Sequence, residues 1–479
     1  MNKAVISYIL GWIVLCETAL MVLPLGVSLI YGEENSIMAF AVTILLSAAL
    51  GAILVLRRPK NRMLRVREGF VATALSWIVI SIIGAVPFVL SGSIKDPVSA
   101  LFEAVSGFTT TGASVISDVE VLDKGVLFWR SFTHWIGGMG VLVFILMLKP
   151  LTGASTLNLM KAESPGPQVE KLVPKLQSTA QILYGLYIAL TIMQMIILYF
   201  AGMPLFDAVT ITFGTAGTGG FGIKNDSIGG YSPLIQYIVA VFMILYGVNF
   251  ASYFLIIKGK LKRSLTEEVR WYFAIIAISV IIIVVNIYGI YGNIEESFRH
   301  GLFQVGAIIT TTGYTTNDFN LWPETSKTIM VLLMFIGACA GSTGGGIKVS
   351  RFVILLKTIK KEVHHYIHPN RVEKISIDTK GVPHEVVRAT NVFMITYLII
   401  FAASVFLISF DDMDMITNFT AVAATINNIG PGLELVGPTQ NFAGFSSFPK
   451  LILIFDMLAG RLELFPILLL LYRRTWQKF

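Results

Sequence analysis

Charged residues are scarce in this chain of 479 residues, since only 14% are Asp, Glu, Lys or Arg while 55% are hydrophobic. A soluble globular domain typically carries about 25% charged residues, so a soluble fold is excluded and an integral membrane protein is indicated. Cysteine is also scarce. The two cysteines, Cys16 and Cys339, both lie in apolar sequence, which excludes a disulfide framework.

The net charge of +7 could suggest a nucleic-acid partner. The basic residues, however, form short clusters between apolar runs, notably at residues 57–67, 258–263 and 473–478. Clusters of this kind follow the positive-inside rule of membrane proteins, not the continuous stripe of a nucleic-acid surface. We therefore predict that these clusters and both termini are cytoplasmic, and that no nucleic acid is bound.

Apolar segments long enough to cross a bilayer predict ten spans. Two come first, at residues 6–30 and 37–56, and an element order then recurs four times: an apolar helix, a short helix, a Thr/Gly-rich loop and a returning apolar helix. The sequence thus predicts an all-α membrane protein with four pseudo-symmetric helix–pore loop–helix repeats, as in potassium channels, after two extra transmembrane helices. The predicted boundaries are 1–68 for the extra helices and 69–179, 180–270, 271–387 and 388–479 for the repeats. The return helices of repeats 1, 2 and 4, at 126–148, 234–257 and 450–472, are predicted to be continuous.

The four loops resemble one another in sequence. They read Thr-Thr-Thr-Gly at 109–112, Thr-Gly-Gly at 218–220, Thr-Thr-Thr-Gly at 310–313 and Asn-Asn-Ile-Gly at 427–430. If Gly112, Gly219, Gly313 and Gly430 correspond, the pattern returns about every hundred residues, which is an internal repeat. In the second loop, Gly217 and Gly220 compete with Gly219 for the aligned position.

Non-helical backbone survives at membrane depth only inside protein or against a water-filled cavity. Four such loops therefore need a shared polar axis, where backbone carbonyls can replace the water shell of an ion. Glycine suits the turns of such a filter, because it adopts left-handed backbone angles at little cost. The short helices before the loops would direct their negative dipole ends at a cation.

These loops, together with Gly-Ser-Thr-Gly-Gly-Gly-Ile-Lys at 341–348, resemble the TrkH branch of the superfamily of potassium transporters that includes TrkH, KtrB and the plant HKT proteins. The resemblance covers essentially the whole chain. It implies potassium uptake across the bacterial cytoplasmic (inner) membrane, a homodimer, and a cytosolic nucleotide-binding regulatory subunit similar to TrkA. K⁺ is then the transported ion, held by filter carbonyls, and no covalent cofactor is expected. The filter residues expected are Thr110, Thr111, Gly112, Thr218, Gly219, Thr311, Thr312, Gly313, Asn428, Ile429 and Gly430.

The return segment of repeat 3, at 328–361, is too long for one ordinary span and is interrupted by the glycines at 341–346. Each glycine destabilises a helix by about 1 kcal/mol relative to alanine, so an unwound loop is expected. A phosphate-binding loop is rejected, because Ile347 precedes Lys348 and the segment lies in the bilayer. A passive kink remains an alternative. The favoured hypothesis, which the resemblance also implies, is a gate built from Gly341, Ser342, Thr343, Gly344, Gly345, Gly346, Lys348 and Arg461.

Arg461 lies in the last apolar segment, where an arginine costs about 2.5–3.5 kcal/mol or more and usually faces a cavity or a partner. It could form a structural bridge to a carboxylate, or place a positive charge below the filter that holds potassium back. Family resemblance favours the second role. We read Glu103, Arg130 and His134 as structural.

Two further features admit competing interpretations. His364, His365 and His368 look like a metal cluster, but their basic surroundings favour lipid head groups or the regulatory subunit as partners. The chain could also be a sodium-conducting member, a sodium- or proton-coupled symporter, or a membrane-embedded enzyme. An enzyme would need a nucleophile–base pair or a metal set on facing helices, and the sequence offers neither.

Overall fold

The structure, a computed structural model, describes residues 1–59, 65–140, 176–370, 373–378 and 380–477. Helices form nearly all of the regular structure in these ranges, which confirms the all-α prediction. Strands Ser376–Ile377 and Lys380–Gly381 form a small antiparallel hairpin. The predicted basic loop at 57–67 and the predicted return helix at 126–148 lie partly outside the described residues.

The chain begins with two apolar helical segments that pack against each other. Helices Lys3–Leu20 and Val22–Tyr31 follow one another across Met21, and Glu34–Leu56 returns beside them. The crossing is close, since a Cβ added to Gly11 would lie 2.7 Å from Leu54 Cβ. These helices cover part of the chain that follows them, because the next helix is more buried than its counterparts later in the chain.

Four helices of 25 residues each open the four units that follow, which we number in chain order. They are Val66–Leu90, Leu176–Phe200, Glu267–Tyr291 and His384–Ile408. At 1.5 Å per residue such a helix is about 37 Å long, enough to cross the ~30 Å bilayer core. In the first, 61% of the apolar window is buried, against 28% in the other three. The difference follows from the N-terminal helices that cover the first unit.

A short buried helix comes next in each unit, and we call it the pore helix. The pore helices are Pro97–Phe108, Leu205–Gly217, Ile294–Ile309 and Met415–Ile426. Three of them start at an Asp or Asn whose side chain accepts a backbone hydrogen bond: Asp96 from Ser99 at 2.9 Å, Asn293 from Glu295 at 3.0 Å, and Asp414 from Thr417 at 2.9 Å. Such caps satisfy N–H groups that a helix start leaves without partners.

The return segments differ from one unit to the next. The first is Lys124–Gly138 as far as it is described. The others are each divided into two helices: Pro233–Tyr246 and Phe250–Ile257, Glu324–Phe335 and Val349–Ile367, and Ser447–Arg461 and Phe465–Leu471. The interruption predicted in unit 3 is present. The prediction of continuous return helices is wrong for units 2 and 4.

Particular contacts and backbone angles mark both unexpected breaks. In unit 2 the two helices meet at 93°, because Gly247 packs against the Tyr272 ring and Asn249 caps the new helix by accepting from Ala251 N at 2.8 Å. In unit 4, Glu463 and Leu464 adopt φ angles of 54° and 71°, which no α-helix accommodates. Within the described residues, six helices are long and apolar enough to span a membrane, or seven if the bent pair counts as one span. The ten predicted spans exceed this number because most return segments are short or broken.

Short elements connect the long helices. The helix Leu261–Ser264 precedes the third unit. Single 3₁₀ turns occur at Phe319–Leu321, Ser409–Asp411, Glu434–Val436, Phe442–Gly444 and Arg473–Trp476.

Candidate functional site

Each pore helix ends in the same backbone conformation. The residue that begins each loop is left-handed, with φ of 56° at Thr110, 55° at Thr218, 59° at Thr311 and 55° at Asn428. Its N–H donates to the carbonyl three residues before it, and the next N–H donates to a carbonyl five residues back, in all four loops. Because the same two hydrogen bonds close every pore helix, the four loops leave their helices along equivalent paths.

A glycine with positive φ follows two residues later in every loop. These glycines are Gly112, Gly220, Gly313 and Gly430, with φ of 80°, 80°, 78° and 100°. The alignment of Gly219 with the other three glycines is therefore wrong by one residue. Thr218 occupies the position of Thr110, so the register counted from it makes Gly220 the equivalent of Gly112. Gly219 stands where the other loops have Thr111, Thr312 and Ile429.

The four glycines close a ring. A Cβ added to any of them would press on a carbonyl oxygen of the next loop: Gly112 on that of Gly219, Gly220 on that of Thr312, Gly313 on that of Ile429, and Gly430 on that of Thr111. The contacts run from unit 1 to 2, 2 to 3, 3 to 4, and from 4 back to 1. The Asn428 side-chain amide reinforces the last step by donating to Thr111 Oγ1 at 2.9 Å. The loops of all four units thus surround one centre.

An open cavity of about 130 Å³ adjoins this ring. All four ring glycines line it, together with residues that follow them in the chain, including Ser114 and Asn225. Backbone carbonyls around a common centre beneath a polar cavity can take the place of the water around a cation.

Buried polar residues of the first unit hold two of the loops in place. Arg130 pairs with Glu103 at 2.7 Å, both side chains being nearly inaccessible to solvent. The Glu103 carboxylate accepts from Ser114 Oγ at 3.0 Å and from Val115 N at 2.9 Å. Arg130 donates to Gly222 O at 3.2 Å, so this pair ties the first loop to the second.

His134 makes a second connection between the same loops. Its Nδ1 lies 2.8 Å from Gly107 O in the pore helix, and Phe221 N lies 3.2 Å from its Nε2. Only a neutral ring that donates from Nδ1 and accepts at Nε2 satisfies both contacts. The contacts of Glu103, Arg130 and His134 are thus structural, in agreement with the sequence analysis.

The unwound segment of unit 3, residues 336–348, lies directly under the ring; we call it the glycine-rich loop. Gly345 N donates to Thr311 Oγ1 at 2.6 Å. A Cβ on Gly344 would lie 3.0 Å from Thr310 O, and one on Gly345 only 2.7 Å from Asn427 O. The absence of side chains is what permits the loop to approach the third and fourth pore loops so closely.

Two backbone bonds and one lysine close the glycine-rich loop upon itself. Gly337 N donates to Ile347 O at 2.8 Å, and Val349 N donates to Ala338 O at 3.3 Å. Lys348 folds back so that its ammonium bonds the carbonyl of Gly345 at 3.2 Å and that of Gly344. The lysine therefore donates hydrogen bonds to carbonyls of the loop itself.

Arg461 joins three parts of the molecule below the ring. Its Nη1 donates to Thr110 Oγ1 at 3.2 Å and to Thr343 O in the glycine-rich loop at 3.1 Å. Its Nη2 donates to Gly138 O at 3.0 Å and to Gly137 O. Glu463, the nearest carboxylate in sequence, pairs with Arg351. Arg461 thus contacts both a pore loop and the glycine-rich loop.

The break in unit 2 is a part of this site that the sequence analysis missed. Cys339 N donates to Gly247 O, and Phe250 N donates to Gly341 O, both at 3.0 Å. The glycine-rich loop therefore completes its backbone bonding on the broken return helix of another unit. Gly247 followed by Asn249 was the available signal, since glycine and a helix-capping residue together favour a helix end and a new start.

The histidines of the basic segment lie apart from the ring. His364, on helix Val349–Ile367, approaches Glu373 at 3.1 Å. Arg371, a basic residue of the same segment in the sequence, lies outside the described residues.

Known proteins resemble this chain over its full length. The model of the TrkH family, described as a cation transport protein, matches residues 36–477. The Trk system potassium uptake protein TrkH of Salmonella typhimurium is 36% identical over 100% of both chains. TrkG of Escherichia coli, also named as a Trk system potassium uptake protein, is 32% identical over 99% of this chain and 98% of its own. The crystal structure of the potassium transporter TrkH from Vibrio parahaemolyticus superposes with a TM-score of 0.89, at 32% identity and with 100% of both chains covered.

Proposed function

The chain belongs to the TrkH family of cation transport proteins, and from this premise we propose that it takes up potassium through the ring of four loops. It is a transport protein and not an enzyme. The observation that carries the proposal is the closed sequence of glycine–carbonyl contacts between neighbouring loops. Such a ring gathers backbone oxygens around one path, and the relatives named above are potassium uptake proteins.

In this proposal each loop supplies three consecutive filter residues. They are Thr110, Thr111 and Gly112; Thr218, Gly219 and Gly220; Thr311, Thr312 and Gly313; and Asn428, Ile429 and Gly430. The left-handed first residue and the positive-φ glycine orient the carbonyls between them. The pore helices add a negative dipole end to each corner, worth about 0.3–1 kcal/mol apiece. K⁺ is the transported ion and no other cofactor is needed.

The gate is proposed to be the glycine-rich loop with Lys348 and Arg461. Its closeness to Thr311 and Asn427 supports a position across the path of an ion leaving the ring. Arg461 adds a positive charge beneath the ring and bonds the loop at Thr343 O. Passage of an ion requires that the loop move aside and that these bonds break.

Uptake through such a pore needs no coupled ion. At an assumed potential of about −150 mV, one charge moving inward gains roughly 3.5 kcal/mol. This free energy supports an accumulation of about 300-fold, at about 1.4 kcal/mol for each factor of ten.

The cellular setting follows from the family and the charge pattern. We infer a multi-pass protein of the bacterial inner membrane, with both termini cytoplasmic because the basic clusters in the sequence follow the positive-inside rule. A homodimer and a cytosolic, nucleotide-binding subunit similar to TrkA are the proposed partners. Lipid head groups are expected at the basic face of helix Val349–Ile367.

Rubidium uptake into proteoliposomes of the purified protein tests the proposal. We expect uptake driven by an inside-negative potential, competition by external potassium, and little competition by sodium. Protein-free vesicles are the control. Uptake no greater than in those vesicles, with and without a regulatory subunit, would refute a potassium pathway.

A further inference from the structure

The two ends of the glycine-rich loop meet at a single carboxylate, that of Glu268. Ala340 N, on the way into the glycines, donates to Glu268 Oε1 at 2.8 Å. Ser350 N, on the way out, donates to the same oxygen at 3.0 Å. The residues between these donors include every glycine from Gly341 to Gly346. One oxygen atom therefore accepts hydrogen bonds from both ends of the glycine-containing segment.

The chemistry at this carboxylate favours strong bonds. Ser350 is the second residue of helix Val349–Ile367, whose first N–H groups have no partner within the helix and carry partial positive charge. A carboxylate accepting such groups forms charge-assisted bonds, which are about twice as strong as neutral ones. Glu268 itself belongs to the 25-residue helix Glu267–Tyr291, so the acceptor is fixed to a long membrane-spanning element.

We propose that Glu268 is the positioning residue that fixes the glycine-rich loop in its blocking position, by binding both of its ends to the first helix of unit 3. This inference rests on the proposed gating role of the loop. Ala340 and Ser350 can separate only if at least one of them leaves Glu268 Oε1. Any withdrawal of the loop that separates its two ends therefore requires this double acceptor to release a backbone N–H group.

The neighbouring residue provides a matched control. Glu267 has the same side chain one position earlier, but it pairs with Lys357 Nζ at 2.5 Å and accepts from Asp378 N at 3.4 Å. Those partners lie at the middle of helix Val349–Ile367 and on the hairpin, not on the glycine-rich loop. A general effect of removing an acid from this membrane face would appear in both variants, whereas release of the loop would appear only at Glu268.

A native reporter lies in the loop itself. Cys339 is fully buried beside Ala340, and the only other cysteine of the chain is Cys16. In a Cys16→Ala background, the rate at which a small water-soluble maleimide labels Cys339 measures how often the loop opens. This readout does not depend on ion flux.

The experiment measures rubidium uptake and Cys339 labelling in Glu268→Ala, Glu268→Gln and Glu267→Ala, with Arg461→Ala as a second gate variant. For Glu268→Ala we expect both rates to rise about fivefold or more, as for loss of charge-assisted hydrogen bonds to one acceptor. Glu268→Gln keeps a carbonyl oxygen at the acceptor position but loses the charge, so its rates should lie between those of wild type and those of Glu268→Ala. Glu267→Ala should leave both rates unchanged.

Three outcomes distinguish failure of the role proposed for Glu268 from failure of the proposed potassium pathway. If Arg461→Ala raises uptake while Glu268→Ala changes neither rate, the inference is overturned and the potassium pathway stands. If no variant and no wild-type preparation carries rubidium, the pathway itself fails. If Glu267→Ala raises both rates as much as Glu268→Ala, the effect is not specific to the loop and the inference is overturned. Should Glu268→Ala not fold, Glu268→Asp, which withdraws the carboxylate by one methylene, is measured in its place with the same expected direction.

Discussion

The pore loops and the return segments differ in how closely the four units resemble one another. In the pore loops, four units repeat the same left-handed residue, the same two capping bonds and the same glycine. Among the return segments, no two described ones are alike. Unit 2 bends by 93°, unit 3 unwinds into the glycine-rich loop, and unit 4 turns through Glu463 and Leu464. The four units are alike where their loops surround one centre, and they differ in the return segments.

The largest effect should come from placing a side chain in the ring. In Gly313→Ala the new Cβ presses on Ile429 O, and overpacking of about 1–3 kcal/mol corresponds to roughly a 5- to 150-fold change in rate or selectivity. We expect rubidium uptake and the preference for potassium over sodium to fall together. Gly292→Ala is the control, because Gly292 is also left-handed, with φ of 64°, but meets no atom within 4 Å. Equal losses in both variants would mean that backbone angle alone, not the ring contact, causes the effect.

Serine at two other ring glycines tests selectivity separately. Gly112→Ser and Gly220→Ser should each lower the preference for potassium over sodium, measured by competition in the uptake assay. Because the ring glycine of unit 2 is Gly220, its serine variant should behave like that of Gly112. Unaltered selectivity in both would remove these residues from the filter.

Removing the charge below the ring should act in the opposite direction. Arg461→Ala deletes bonds to Thr110 and to the glycine-rich loop, and hydrogen bonds from a charged group contribute about 1.5–3 kcal/mol. We expect rubidium uptake to rise about tenfold. Arg270→Ala, which removes an exposed arginine 3.9 Å from Asp378, should leave uptake unchanged. An unchanged rate in Arg461→Ala would reduce Arg461 to a structural residue.

A smaller increase is expected from one hydroxyl of the ring. Thr311→Val preserves shape but removes the oxygen that accepts from Gly345 N, a contribution of about 1 kcal/mol. Uptake should rise about two- to fivefold, because only one of the bonds that hold the loop is lost. Thr425→Val, whose hydroxyl bonds the backbone of its own pore helix, provides the comparison. If the two valines had the same effect, the contact between ring and loop would not restrain the gate.

The smallest effect concerns the start of a pore helix. Hydrogen bonds from the Ser99 side chain and backbone lower the pKa of Asp96, so its capping contribution is present above the ordinary pKa and is lost as pH falls through the lowered value. Asp96→Ala should cost about 1 kcal/mol of stability, seen as a lower Tm at neutral pH that converges with wild type in strong acid. Asp414→Ala, at the equivalent cap of unit 4, should show a similar loss. A clear difference between them would limit the equivalence of the units to the ring.

Much of this architecture could be predicted from the sequence because its signals are local. Long apolar runs predict the 25-residue helices, and Thr/Gly loops after short apolar helices predict the pore loops. The register of the second loop was not predictable in this way. Gly217, Gly219 and Gly220 all offer the required backbone freedom, and only the left-handed conformation of Thr218 selects Gly220. A choice among adjacent glycines depends on contacts with other units, which the sequence does not display.

The breaks in units 2 and 4 illustrate the same limit. Residues 234–257 and 450–472 are apolar enough to be read as single spans, and apolarity outweighs Gly247 and Pro466 in such a reading. The structure divides them because Gly247 faces Tyr272 of another helix and because Glu463 reaches Arg351 of another unit. The same holds for Glu268, whose partners lie 72 and 82 positions away along the chain.

The head-to-tail order of the glycine contacts has a mechanical consequence. Each ring glycine lies against a carbonyl of the next loop, and the fourth loop contacts the first. The ring therefore has no gap at which a misfit can be relieved. A shift of any one loop therefore presses on its neighbour and involves all four. The shape of the ring is then a collective property of distant stretches of one polypeptide, and a defect in any loop affects the other three.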